Sequence, residues 1–146
     1  MLSIMEARKK NSSLAVELRM AVMRTSRRLR IEATSESVTA GQFTVLALLG
    51  QGPLTLRELA DAEHVQAPSM TRTVNGLEAA ALVRRTPHPK DGRQVLAELT
   101  DQGRQILSDT RQRRTEWLEK RLAKLSNEER RTLREAAEIL LRMGAK

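Results

Sequence analysis

Apolar positions along the chain fall mostly at three- and four-residue steps, and that helical period is interrupted once. From Leu14 to Ala33 the positions Leu14, Leu18, Ala21, Val22, Thr25 and Leu29 share one stripe, which predicts an amphipathic helix of about five turns. Residues 34–37 are polar and read as a turn. Thr39 with Gln42 three residues on is a capping-box pattern, in which each side chain satisfies a backbone donor at a helix start. It opens a helix carrying Phe43, Leu46, Ala47 and Leu49, ended by Gly50, Gly52 and Pro53. Thr55 and Glu58 repeat the pattern and open a third, short helix through Leu56, Leu59 and Ala60. After a break at 63–66, Pro68 is compatible with the first turn of a fourth helix, which buries Met70, Val74 and Leu77.

The period then changes. Residues 83–86 and 95–99 read as two short strands around a loop that contains Asp91-Gly92, a hairpin signal because glycine accepts positive φ. From Thr100 the helical period returns through Ile106, Leu107, Thr110, Trp117, Leu118, Leu122 and Leu125, over roughly six turns. Ser126 with Glu129 starts a last helix, whose Leu133, Ala136, Ala137, Leu140 and Leu141 form a stripe to the C-terminus. The first dozen residues are polar and basic and are expected to fray.

The expected fold is mainly α with a small β-hairpin. Residues 37–100 can close a small core of their own, whereas 1–36 and 101–146 carry stripes that one copy cannot cover. A two-fold homodimer built on the terminal helices is the expectation.

Charge adds a partner to this picture. The 26 Lys and Arg outnumber the 18 Asp and Glu, for a formal +8, and a basic excess of that size points to a polyanion such as nucleic acid. The chain has no cysteine and two histidines, His64 and His88, which removes disulfide and thiolate chemistry and gives no metal-ligand spacing. No apolar run is long enough to span a membrane and no signal peptide is visible, so the expected location is the cytoplasm and no membrane partner is expected. A nucleophile elbow, a phosphate loop and a zinc-protease motif are all missing, so no enzyme is expected and no cofactor is called.

Two short helices joined by a tight turn and followed by a basic hairpin make a winged helix-turn-helix, whose second helix enters the major groove of double-stranded DNA. The run Leu59-Ala60-Asp61, Val65, Pro68-Ser69-Met70-Thr71-Arg72, Val74, Leu77-Glu78 and Leu82-Val83, followed by Asp91-Gly92-Arg93 and Leu99-Thr100 with Gly103, resembles the MarR family of bacterial transcriptional regulators over residues 14 to 143. The resemblance implies a triangular homodimer, with intertwined terminal helices and two winged lobes on successive half-sites of a pseudo-palindromic operator, acting as a repressor.

In the recognition helix Ser69, Thr71 and Thr73 can reach phosphates or base edges, Arg72 can donate bidentately to guanine, and Asn75 can reach the backbone. Pro68 shapes the first turn. In the wing Arg93 is the candidate for the minor groove, with Lys90, Arg84, Arg85 and His88 as phosphate or positioning contacts. The family gives Asp91 the part of accepting hydrogen bonds from an arginine and fixing its direction.

Two positions depart from the family pattern. His64 stands where glycine is usual, which requires a left-handed histidine or a rearranged turn. Gln66 replaces the usual Ser or Thr cap of the recognition helix and is long enough to reach DNA instead. The resemblance also implies a small phenolic or aromatic acid as effector, in the cleft between the dimer helices and the lobe. Met20, Met23, Arg27, Phe43 and Trp117 are its candidate lining. The competing function is an architectural, sequence-tolerant DNA binder, favoured by the arginines spread over the first and long helices.

Overall fold

The computed structural model describes residues 13–33 and 37–145. The first dozen residues, expected to fray, and all but the last residue of the turn expected at 34–37 lie outside them. The described elements run α1 (Leu14–Ala33), α2 (Ala40–Leu49), β1 (Leu54–Thr55), α3 (Leu56–Glu63), α4 (Ala67–Ala79), β2 (Val83–Pro87), β3 (Val95–Leu99), α5 (Asp101–Leu122) and α6 (Asn127–Gly144).

All three expected capping boxes form. The Gln42 N–H donates to Thr39 Oγ1 at 3.2 Å and the Thr39 N–H to Gln42 Oε1 at 3.0 Å. Thr55 with Glu58 and Ser126 with Glu129 make the same reciprocal pairs. Each satisfies two backbone donors that the first helical turn leaves without a partner.

Strand β1 is absent from the sequence reading. It has two residues, and it exists because β3 supplies partners: Leu54 faces Ala97 and Thr55 faces Leu96, giving an antiparallel sheet in the order β1-β3-β2. Between β2 and β3 the register runs from Val83 opposite Leu99 to Pro87 opposite Val95.

Leu46, Leu59, Leu77, Leu99, Val45, Val74 and Val83 are fully buried. Burying a side chain of this size contributes about 1.5–3 kcal/mol. The core draws on α2, α3, α4, β2 and β3, with Leu107 of α5 closing one end. It therefore holds α4 rigidly against the sheet, with one helix face left to solvent.

Two helices end on a left-handed residue that is not glycine. At the end of α3, His64 has φ 53 and ψ 40. The Val65 N–H donates to Ala60 O and the His64 N–H to Asp61 O, the paired bonds of a Schellman ending. The histidine is thus left-handed and the turn keeps its usual path. At the end of α4, Ala81 takes φ 60, with Leu82 N–H to Leu77 O and Ala81 N–H to Glu78 O, both 2.9 Å. Alanine in this region carries a Cβ clash of about 1–2 kcal/mol.

That second turn is also where α5 is attached. Thr100 donates its N–H to Leu82 O at 3.1 Å and its hydroxyl to Ala81 O at 2.6 Å, and its Oγ1 accepts from the Gly103 N–H at 3.0 Å. A Cβ on Gly103 would lie 2.1 Å from Leu82 O, so only glycine fits there. The Leu99-Thr100 and Gly103 pattern of the sequence is therefore a joint between lobe and long helix.

Candidate nucleic-acid interface

The helical period of α4 divides it in two. Met70, Val74 and Leu77 are buried, while Pro68, Arg72 and Asn75 lie on the opposite, exposed face. Ser69, Thr71 and Thr73 are half-buried along its flanks. The Thr71 hydroxyl donates to Ala67 O at 3.0 Å and that of Thr73 to Ser69 O at 3.1 Å, so each keeps acceptor capacity and a methyl group for an outside partner. Arg72 reaches Ser69 Oγ only at 3.5 Å, the outer limit of a hydrogen bond. Its guanidinium stands at the centre of the exposed face with little to hold it.

Gln66 is the N-cap of α4, in extended geometry, and its side chain makes no capping bond. Its backbone carbonyl accepts instead, from the Ser69 N–H at 3.0 Å and the Met70 N–H at 3.2 Å. The exposed amide is free to turn outward.

The two arginines of β2 have partners inside the lobe. Arg84 pairs with Glu98 across the sheet, through a short contact of its Nε with Oε1. Arg85 reaches α4: its Nη2 donates to Asn75 Oδ1 at 2.5 Å, and its Nε lies 3.2 Å from Glu78 Oε2. Glu98 did not stand out in the sequence, and Glu78 did so only within the family-like run and with no partner named, because a cross-strand or strand-to-helix partner has no fixed spacing.

At the wing tip the loop is organised by its own side chains. His88 Nδ1 accepts the Lys90 N–H at 3.1 Å and the Asp91 N–H at 3.2 Å, while the His88 N–H donates to Gln94 O. Asp91 Oδ1 accepts the Arg93 N–H at 3.0 Å, and the Gln94 N–H donates to Asp91 O. Asp91 therefore holds Arg93 by its backbone. Gly92 does not take positive φ, contrary to the sequence expectation, because Asp91 opens a four-residue turn through its side chain and carbonyl. The side chains of Lys90 and Arg93 are exposed and make no ion pair among the described residues.

Away from the wing a cavity of about 280 Å³ opens between α1, α2 and α5, lined by Ser26, Arg30, Val38, Thr39, Ala40, Phe43, Thr44, Ala47 and Arg114. Of the five lining residues expected from sequence, Phe43 is in place. Met20, Met23 and Arg27 lie on the exposed side of α1, and Trp117 stacks beneath Arg121 at 3.6 Å. The sequence missed Arg30 and Arg114, which read as part of the general basic excess. The Arg114 guanidinium sits 4.1 Å over the Phe43 ring, and its buried Nε has no hydrogen-bond partner. Burial first, and the neighbouring Arg30 second, hold its pKa below the usual arginine value. It remains a cation at neutral pH.

Among the described residues no helix is long and apolar enough to cross a membrane. The description of the MarR family matches residues 38–95. An HTH-type transcriptional regulator of Mycobacterium tuberculosis is 42% identical over 132 residues, covering 90% of this chain and 92% of the relative. The HTH-type transcriptional repressor NicR of Pseudomonas putida is 35% identical over 91 residues, 62% of this chain and 58% of that protein. Wild-type MarR from E. coli superposes with a TM-score of 0.77 at 29% identity, over 89% of this chain and 97% of that one. A MepR mutant from S. aureus, solved bound to an oligodeoxyribonucleotide, has the same fold, with a TM-score of 0.67 at 20% identity over 91% of this chain and 99% of that one. The matched segment is the one that carries the exposed helix face and the wing, and the chain is a MarR-family transcriptional regulator with a winged-helix DNA-binding fold.

Proposed function

We propose that two copies of the chain bind a pseudo-palindromic operator and repress the genes beside it. In this reading 37–100 is the DNA-binding lobe, and 1–36 with 101–146 form the dimer. Each lobe places α4 in the major groove and the 88–94 wing loop over the minor groove. The observation that carries the reading is the exposed Arg72 at the centre of α4, held only by a 3.5 Å bond to Ser69 Oγ, with Arg93 and Lys90 at the wing tip in no ion pair among the described residues. Gln66, Ser69 and Thr71 flank Arg72, and Asp91 and His88 shape the loop that presents Arg93. Arg84 and Arg85, paired within the lobe, position the wing. Thr73, close to the buried stripe, is placed for a backbone contact at most. The test is binding of the full chain to duplexes selected from a random library against unselected duplex, at physiological salt. A preference of at least a thousandfold, with a two-fold symmetric footprint, is expected. Equal affinity for both would establish an architectural binder instead.

The cavity supports a small aromatic acid as the releasing effector. Two arginines and a phenyl ring converge there with three hydroxyl groups, and one buried guanidinium nitrogen lacks a partner. An anion in this cleft touches α1, α2 and α5 together, so it can favour one spacing of the two lobes over another. With 4-hydroxybenzoate as probe, millimolar addition is expected to weaken duplex binding by the unaltered chain and to leave Arg114→Met unaffected. Equal weakening of both proteins places the effector elsewhere.

A further inference from the structure

One guanidinium joins the exposed face of α4 to the first strand of the wing. Arg85 donates to Asn75 Oδ1, and its buried Nε lies 3.2 Å from Glu78 Oε2, an ion pair without hydrogen-bond geometry, Glu78 being one turn further along the same side of α4. An asparagine amide normally presents an acceptor or two donors to a partner with equal ease. A guanidinium has five donors and no acceptor, so only the amide oxygen can face it. The Asn75 NH₂ group is therefore turned away from Arg85, on the side chain that shares the exposed face with Arg72, and it has no protein partner among the described residues.

We infer that Arg85 is a positioning residue that makes Asn75 a donor-only reader of the duplex, an inference that rests on α4 being the recognition helix. Such a group pairs with guanine N7 or O6, adenine N7, thymine O4 or a phosphate oxygen, and is mismatched with the amino group of cytosine. Glu78 offsets the charge of Arg85, so the arginine acts through the amide and not as a phosphate contact. The clamp also ties the tilt of α4 to the wing, which couples major-groove register to wing position.

The experiment measures affinity of the full chain for duplexes that the unaltered protein selects from a random library, over a series of salt concentrations. Asn75→Asp keeps an oxygen for Arg85 and removes both donors. It is expected to lower affinity about tenfold or more without lowering the melting temperature, as for a lost base or phosphate hydrogen bond. Arg85→Lys keeps the charge and the donor-only character and is expected to retain the selected motif. Arg85→Met frees the amide and is expected to weaken binding several-fold and broaden one position of the motif, with little further effect in an Asn75→Ala background. A loss that Asn75→Ala shares supports the donor assignment, at a base edge if it is confined to one base-pair position and at a phosphate if it is uniform; a uniform loss seen only in Asn75→Asp is repulsion between the new carboxylate and the duplex and overturns it. Unchanged binding by Asn75→Asp overturns the inference. So does an Arg85→Met loss that persists in Asn75→Ala and reduces the salt slope by about one, because Arg85 would then touch phosphate itself. If the unaltered chain selects no motif, the recognition-helix reading falls, and this inference falls with it.

Discussion

The winged lobe and the terminal helices solve burial in opposite ways. Among the described residues, every buried apolar side chain but Leu107 lies between Val38 and Leu99, whereas α6 has no buried residue. Leu14, Met20, Met23, Leu133, Leu141 and Met143 are exposed on the terminal helices, while Val65 and Val95 are the large apolar residues exposed in the lobe. The lobe is thus complete within one chain, and the stripes on α1 and α6 call for a second surface. Because α5 enters both regions through the Thr100 joint, a change of packing in the proposed dimer would be felt at the lobe.

The sharpest way to break this contrast is to injure each region separately. Leu77→Ala removes a fully buried side chain at the centre of the lobe and is expected to cost about 3 kcal/mol in urea unfolding, at any protein concentration. Leu140→Glu with Leu141→Glu touches no buried contact within the chain and is expected to weaken self-association at least a hundredfold, about 2.7 kcal/mol. Sedimentation should then show monomers that keep the helical circular dichroism of the lobe. If they unfold instead, the lobe is not self-sufficient.

Smaller changes examine the joint. Gly103→Ala forces a Cβ against Leu82 O and is expected to cost about 2 kcal/mol by overpacking, read as a lower urea midpoint. Ala81→Gly relieves the left-handed alanine and is expected to raise stability by about 0.5–1 kcal/mol, the gain limited by the greater freedom of glycine in the unfolded chain. A loss in that variant would mean that Ala81 is not strained.

The same contrast separates what was legible. Helix starts were, since Thr39, Thr55 and Ser126 act on residues three positions away. The wing strands were, from the change of period, but residue type alone did not separate the exposed Arg72, Lys90 and Arg93 from Arg84 and Arg85, which pair within the lobe. The Asp91-Gly92 turn was placed correctly and explained wrongly, because the Asp91 side chain, and not a positive φ at Gly92, closes it. Ala81 gave no warning of its left-handed state, since nothing in an alanine marks a helix end.

What the sequence determined by itself was therefore the local half of this protein: the order of helices, their caps, the hairpin and the helix that carries Arg72. These follow from interactions within about four residues, where spacing is geometry. Tertiary structure alone decided that β1 exists, that Glu78 and Glu98 take the arginines of β2, that Arg85 orients Asn75, and that Arg30 and Arg114 meet beside Phe43. Each of those joins residues on separate elements, and charge or polarity at a position says only that a partner is wanted, not which folded neighbour supplies it.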